Sequence, residues 1–206
     1  YGETVQYRYK GASEAAKYGA VASLIRSVGS ATLYTPHTGV MAYVKGIPRI
    51  PHAALTIEDA IMLSRQQKSG EKIVIQLKMD ARMEPDRWSR NIVADLKGSE
   101  NPDEIVVLGG HIDSWDVGQG AHDDGGGCVA AWYAVKLIHD LGLRPKRTLR
   151  VVMWTNEENG GKGNKAYRDA HYDELDKHII AIESDGGVFK PSGFGFTGSQ
   201  AAKEIV

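Results

Sequence analysis

The sequence has almost no cysteine and no long hydrophobic run. It contains one cysteine, Cys128, among 206 residues, so an intramolecular disulfide is impossible. Cys128 lies where a glycine-rich stretch meets an apolar helical pattern, and we expect it to pack as a small buried side chain. No apolar run approaches the roughly 20 residues that span a bilayer. The sequence therefore predicts neither a disulfide-stabilised scaffold nor a membrane span.

Neither sign of charge is in excess. The chain carries 25 Lys and Arg residues against 26 Asp and Glu residues, for a formal net charge of -1 at pH 7. Such a balance offers no basic field to attract nucleic acid or an anionic membrane. An apolar content of 42% with 25% charged residues is typical of a globular protein with a buried core. Asn-x-Ser/Thr acceptors are missing too, so glycosylation gives no information on the compartment.

The second half of the chain alternates between strand-like and helix-like patterns. β-Branched runs predict strands, and apolar residues at helical spacing predict helices. The predicted strands are 91–97, 103–108, 148–154 and 178–183, and the predicted helices are 128–141, 162–170 and a last one beginning at 199. This order indicates an α/β domain with a mainly parallel sheet. The first two strands are joined by a Gly- and Pro-containing loop, which predicts a hairpin.

The first half is less regular. Residues 11–27 read as a helix, although 20–25 could instead form a short buried strand. Thr56 is a candidate N-cap for the next helix, with Asp59 three positions later. Residues 72–78 alternate like a strand. The polar stretch 79–90 has no periodicity and is interpreted as a hinge, which predicts two modules, 1–84 and 85–206.

Candidate ligands are concentrated in the glycine-rich stretch 108–127, directly after a predicted strand. Imidazole and carboxylate groups together are the donors that zinc prefers. The candidates in this stretch are His111, Asp113, Asp116, His122, Asp123 and Asp124. Glycine lets the backbone approach a bound ion or substrate closely. On its own, the stretch could equally be a polar surface loop.

Further acidic residues follow the other predicted strands. Glu157 and Glu158 come after the strand 148–154, and Asp185 comes after the strand 178–183. Because ligands of parallel α/β sheets bind outside the carboxyl ends of the strands, these residues are expected to meet the glycine-rich stretch at one edge. Their number exceeds the three protein ligands of a single catalytic zinc, which favours two ions. A spare carboxylate beside the ligands could act as a general base.

These motifs resemble the ordered motif set of the co-catalytic dizinc exopeptidases, a family of aminopeptidases and glutamate carboxypeptidases. The similar segments are His111–Asp113, 120–125, Glu157–Glu158 and Ser184–Asp185. The resemblance implies an α/β/α zinc-exopeptidase domain with a mainly parallel sheet over 85–206, incomplete at its C-terminal end. It also implies that 1–84 is part of a protease-associated-like α+β domain.

The same resemblance implies a role for each matching residue. His111, Asp123, Glu158 and Asp185 would bind two zinc ions, with Asp123 bridging them. Glu157 would be the general base that takes a proton from the attacking water. Asp113 would orient the His111 ring, which fixes the tautomer of a ligand. By analogy, His122 would lie at the rim, Asp124 would support the site through hydrogen bonds, and Trp115 and Trp154 would pack its wall.

The resemblance further implies hydrolysis of short peptides, in particular dipeptides with free termini, by a secreted or lysosomal homodimer. A last His ligand is expected beyond Asp185, and none of the seven histidines fits it. We therefore expect the chain to be an internal piece that binds zinc poorly by itself. Three alternatives stay open: an aminopeptidase of the same family, a single-zinc acyltransferase of the glutaminyl-cyclase type, and a non-catalytic receptor-like homologue. Every matching position in the chain carries a residue that can bind zinc, which argues against a non-catalytic homologue.

Overall fold

The chain divides at residue 88 in the computed structural model, which describes residues 2–37, 39–115 and 118–205. The first unit is Tyr1–Trp88 and the second is Ser89–Val206. The division falls inside the polar stretch 79–90. Among the described residues, no helix combines the length and the apolar character that crossing a membrane requires.

The first unit contains two helices and a pair of short parallel strands. Its elements in chain order are α1 (Val5–Lys17), β1 (Ser23–Arg26), β2 (His52–Leu55) and α2 (Ile57–Lys68). Strand β1 pairs with β2 in parallel, with Ser23 opposite His52. The mixture of helix and strand is of the α+β kind expected here, whereas the likeness of this unit to a protease-associated domain stays a prediction.

Two sequence predictions for this unit are corrected. The helix predicted over 11–27 ends at Lys17, because Gly19 adopts a left-handed φ of 81° and the N–H of Ala20 bonds back to the Ala15 carbonyl. Such a C-cap terminates a helix, and the alternative reading as a short strand is correct for β1. The strand predicted over 72–78 is wrong. This segment is exposed and has no regular structure, because no strand in the described part of the chain pairs with it.

Thr56 caps α2 as predicted. Its backbone is extended, and its hydroxyl accepts a hydrogen bond of 3.0 Å from the Asp59 N–H. We expect Thr56→Ala to lower the free energy of unfolding by about 0.5–2 kcal/mol, because the first helical turn loses its acceptor. Urea unfolding of the variant measures this loss. Thr56→Ser keeps the acceptor and is the control, and equal destabilisation by both substitutions would contradict the capping role.

The second unit is built on a four-stranded sheet with the order β3-β5-β4-β6. Its main elements are β3 (Ile92–Leu96), β4 (Asn101–His111), α3 (Gly126–Asp140), β5 (Arg147–Trp154), α4 (Lys162–Ala170), β6 (His178–Glu183) and α5 (Gln200–Lys203). Strand β4 is parallel to both β5 and β6, and β3 is antiparallel to β5. The prediction of an α/β domain with a mainly parallel sheet is confirmed.

Helices cover both faces of this sheet. Val107 packs with Val152 and with Tyr167 of α4 in the buried core. On the opposite face, Gly110 approaches the start of α3 so closely that a Cβ would collide with the Cys128 N–H. Because side chains alternate along a strand, residues 107 and 110 of β4 face opposite sides. The result is the three-layer α/β/α arrangement.

The predicted hairpin between 91–97 and 103–108 is wrong. Strand β5 lies between β3 and β4, and β3 pairs with β5 in an antiparallel register that places Asp95 opposite Arg150. The Arg150 guanidinium donates to both Asp95 carboxylate oxygens at 2.7 Å. Strand β4 is largely buried and β3 largely exposed, so β4 occupies the centre of the sheet and β3 its edge.

Candidate active site

His111 is the last residue of β4 and the centre of a cluster at the carboxyl edge of the parallel strands. Its side chain is 1% exposed. Its Nε2 atom lies 2.9 Å from Asp123 Oδ1 and 3.3 Å from Asp185 Oδ1. One ligand atom from each of these three residues fits within 4.8 Å of the others. The structure therefore brings three of the four predicted metal ligands together.

The contacts of the His111 ring determine which of its two nitrogens carries the hydrogen. The ring Nδ1 lies 2.9 Å from the Asp113 main-chain carbonyl, which can only accept, so Nδ1 is the donor and Nε2 faces the carboxylates. Burial alone would lower the pKa of the His111 imidazole. The hydrogen bond to the carbonyl and the nearby carboxylates, Asp185 first among them, outweigh burial and raise this pKa to about 9. A metal cation at Nε2 would take the place of the proton.

Asp113 orients the ring through its main chain rather than through its carboxylate. The nearer carboxylate oxygen is 3.8 Å from His111 Nδ1, beyond hydrogen-bond distance. The Asp113 carboxylate instead accepts hydrogen bonds from the main-chain N–H groups of Glu157 and Glu158, at 2.9 and 3.3 Å. It therefore fixes the loop after β5, where both glutamates lie.

Asp124 is buried and holds the glycine-rich turn against the sheet. Its carboxylate accepts the N–H of His111 at 3.0 Å and the N–H of Gly127 at 2.9 Å. A Cβ on Gly110 or Gly127 would collide with this carboxylate, so glycine is required at both positions. Burial raises the pKa of Asp124. The peptide bond between Asp123 and Asp124 is cis, and Asp123 faces the cluster while Asp124 supports it from below.

Glu157 and Glu158 differ in their surroundings. The Glu157 side chain is 44% exposed, and its Oε2 lies 4.0 Å from His111 Nε2. Glu158 is half-buried, and its Oε1 is buried without a hydrogen-bond partner among the described residues. Burial, followed by the charge of Asp123, raises the pKa of Glu158 to about 7. A buried carboxylate oxygen without a donor, beside other acidic groups, is what a bound cation would satisfy.

The remaining candidates have supporting or peripheral positions. Cys128 is buried, and its thiol donates to the His111 carbonyl at 3.2 Å. Burial raises the pKa of this thiol to about 11, which rules out a reactive thiolate. His139 is 71% exposed and pairs with Asp140 on α3, away from the cluster. Asp116, which lies in the same stretch of sequence, falls outside the described residues.

Two cavities adjoin the cluster. One, of about 230 Å³, is lined by residues that include Trp154, Asn164 at the start of α4, Glu157 and Glu183. The other, of about 390 Å³, is lined by Asp123, Asp185, His122, Phe189 and two glycines. Glu183 and Phe189 were not singled out from the sequence. Their only signal was their position near Asp185: Glu183 ends β6 two residues before it, and Phe189 lies four residues after it.

Comparisons with known proteins agree with this arrangement. The chain is 55% identical over all of its 206 residues to human carboxypeptidase Q, and it spans 44% of that protein. A probable leucine aminopeptidase 2 from Aspergillus oryzae is 31% identical over 201 residues, which cover 87% of this chain and 38% of the relative. The chain thus spans less than half the length of these curated relatives.

A solved structure and a protein-family model also match this chain. A crystal structure of a peptidase M28 precursor from Shewanella amazonensis superposes with a TM-score of 0.84 at 44% identity, covering 90% of this chain and 42% of that one. The model of peptidase family M28, whose metallopeptidases are zinc-dependent, matches residues 91–206. These residues contain the whole sheet of the second unit and every predicted metal ligand, and the chain belongs to peptidase family M28.

Proposed function

We propose that the protein to which this chain belongs is a zinc-dependent exopeptidase that hydrolyses short peptides, in particular dipeptides with free termini. The observation that carries the proposal is the cluster of His111, Asp123 and Asp185, with the exposed Glu157 carboxylate 4.0 Å from His111 Nε2. The likeness to carboxypeptidase Q supports a carboxypeptidase or dipeptidase rather than another peptidase. Secretion or lysosomal targeting and a homodimer stay predictions of the family resemblance.

The donor set suits zinc. His111, Asp123, Asp185 and Glu158 supply one imidazole nitrogen and three carboxylates, which are ordinary zinc ligands. We infer two ions that Asp123 would bridge, because its Oδ1 lies 2.9 Å from His111 Nε2 at the end of β4 and its charge acts on Glu158 in the loop after β5. When bound, zinc lowers the pKa of water and polarises the scissile carbonyl. The unpaired buried oxygen of Glu158 is the feature of this chain that a second cation would neutralise.

Glu157 is the residue we assign as general base. Its main-chain N–H is held by Asp113, while its side chain points into the cleft near His111 Nε2 without a hydrogen bond within the described part of the chain. A carboxylate in this position can accept a proton from the attacking water and pass it to the leaving amine. The neighbouring Asp113, through the same N–H contacts, keeps Glu157 at a fixed place relative to the cluster.

Hydrolysis assays on the full-length protein test the proposal. We expect purified, zinc-loaded protein to release free amino acids from a panel of dipeptides, to lose this activity on treatment with a chelator, and to regain it with added zinc. Metal analysis is expected to find two zinc ions per subunit, whereas a glutaminyl-cyclase-like acyltransferase would bind one. Protein that binds zinc but leaves every dipeptide intact would contradict the proposed function.

A further inference from the structure

A stacked pair of rings forms one wall of the open cavity beside Asp123 and Asp185. The His122 imidazole and the Phe189 phenyl ring have centroids 5.3 Å apart and planes 23° apart. His122 immediately precedes Asp123 in the turn before α3, and Phe189 lies four residues after Asp185. The wall is therefore built from the same two segments that carry two of the candidate metal ligands.

Close packing between the two segments holds this wall in place. A Cβ on Gly187, which has a φ of 81°, would lie 3.1 Å from His122 Nδ1. The side chain of Val188 covers Gly126 at the start of α3, where a Cβ would collide with it. Glycine at these two positions lets the turn before α3 and the segment after β6 approach each other. The rings thus have a defined position relative to the cluster.

His122 brings a hydrogen-bond donor to a cavity whose other charged residues are acidic. Among the described side chains that line the cavity, His122 is the only hydrogen-bond donor, because the carboxylates of Asp123 and Asp185 only accept. Gly186 and Gly187 line the same cavity, and their main-chain N–H groups form no main-chain hydrogen bond within the described residues. An imidazole has at least one N–H in either protonation state. The wall therefore suits a ligand that accepts hydrogen bonds.

We propose that His122 and Phe189 bind the carboxyl-terminal residue of the peptide substrate. His122 donates a hydrogen bond to the terminal carboxylate, and Phe189 packs against the side chain of the same residue. This assignment rests on the proposed peptidase function. The other cavity is lined by Glu157 and Glu183, acidic residues outside the metal cluster that would repel a terminal carboxylate and attract an amino group, whereas bound zinc would offset the charges of Asp123 and Asp185. The two cavities thereby set the direction in which a dipeptide binds.

A pair of substrates tests this assignment in the full-length, zinc-loaded protein. Alanyl-phenylalanine has a free terminal carboxylate, and alanyl-phenylalaninamide has a carboxamide in its place. We expect the unmodified protein to prefer the free acid by about 10-fold or more in kcat/KM, the usual effect of one hydrogen bond to a charged group. His122→Ala is expected to lose most of this preference, through KM rather than kcat. His139→Ala, which removes an exposed histidine on α3, is the matched control and keeps the preference.

Three further measurements separate the possible outcomes. His122→Gln keeps a side-chain N–H and should retain part of the preference, whereas losses equal to those of His122→Ala would indicate packing alone and overturn the assignment. A preference that survives in His122→Ala would also overturn it. Calorimetry with the Glu157→Gln protein measures the ratio of the dissociation constants of alanyl-phenylalanine and alanyl-phenylalaninamide under conditions of slow turnover. If the protein hydrolyses neither ligand but still binds the free acid more tightly in a way that depends on His122, the peptidase function would be rejected and the binding assignment would stand.

Discussion

The Glu157→Gln variant of the full-length protein should bind zinc normally and hydrolyse dipeptides about 10²–10⁴-fold more slowly, the range expected for the loss of a general base. Glutamine has the same shape but cannot accept a proton. The Glu157 carboxylate lies 4.0 Å from His111 Nε2 and forms no hydrogen bond to another described side chain, so its removal leaves the ligand cluster intact. Steady-state kinetics and metal analysis on the same sample measure both effects.

Glu158→Gln is the matched control for this experiment. The two glutamates are adjacent, and both main-chain N–H groups bond to Asp113, but Glu158 is the one with a buried and unpaired carboxylate oxygen. We expect Glu158→Gln to lose zinc as well as activity, because the amide is a weaker ligand for the cation. The assignment of Glu157 as general base would be wrong if the Glu157→Gln protein kept most of its activity or lost its metal.

Asp123→Ala should lose both zinc ions, whereas His111→Ala should weaken mainly one. In two-metal sites a carboxylate between the ions neutralises their repulsion at a separation of about 3.5–4 Å. Asp123 is the acidic residue nearest to His111 Nε2, at 2.9 Å, and its charge also contributes to the raised pKa of Glu158. It thus interacts with candidate ligands at the end of β4 and in the loop after β5, as a bridging residue should.

Zinc content of the dialysed variants measures this difference. Asp169→Ala, which removes an exposed carboxylate paired with Arg168 on α4, is the control and should keep both ions. Circular dichroism checks that the variants are folded. One full equivalent of zinc retained in Asp123→Ala would be incompatible with a bridging Asp123, and equal losses in the two ligand variants would favour a single shared ion.

The sequence predicted the elements that depend on local chemistry. The helix Lys162–Ala170 and the strand His178–Glu183 have the predicted bounds, and Thr56 caps α2. The convergence of His111, Asp123 and Asp185 also followed from the sequence, since parallel strands bring their carboxyl ends to one edge. Periodicity, the cap signal and strand direction indicated these features, and the family resemblance selected His111, Asp123 and Asp185 from the other candidates nearby.

Features that depend on pairing could not be predicted in this way. Strand propensity in 72–78 is real, but a strand needs a neighbour, and the described residues supply none for this segment. The pairing of β3 with β5 rather than β4 depends on burial and on the Asp95–Arg150 contact, which joins residues 55 positions apart. The His122–Phe189 stack likewise joins two distant segments. Short patterns in a sequence carry no information about such contacts.

The hydrogen bonds that Asp113 makes to the loop after β5 have a consequence for how this fold can change over time. They hold the main chain of residues 157 and 158, and the 44% exposed side chain of Glu157 takes no part in them. The side chain at position 157 can therefore be exchanged while the loop keeps its shape. A lineage that replaces Glu157 would lose turnover yet keep a folded cleft, and a binding protein could descend from a hydrolase in a single substitution.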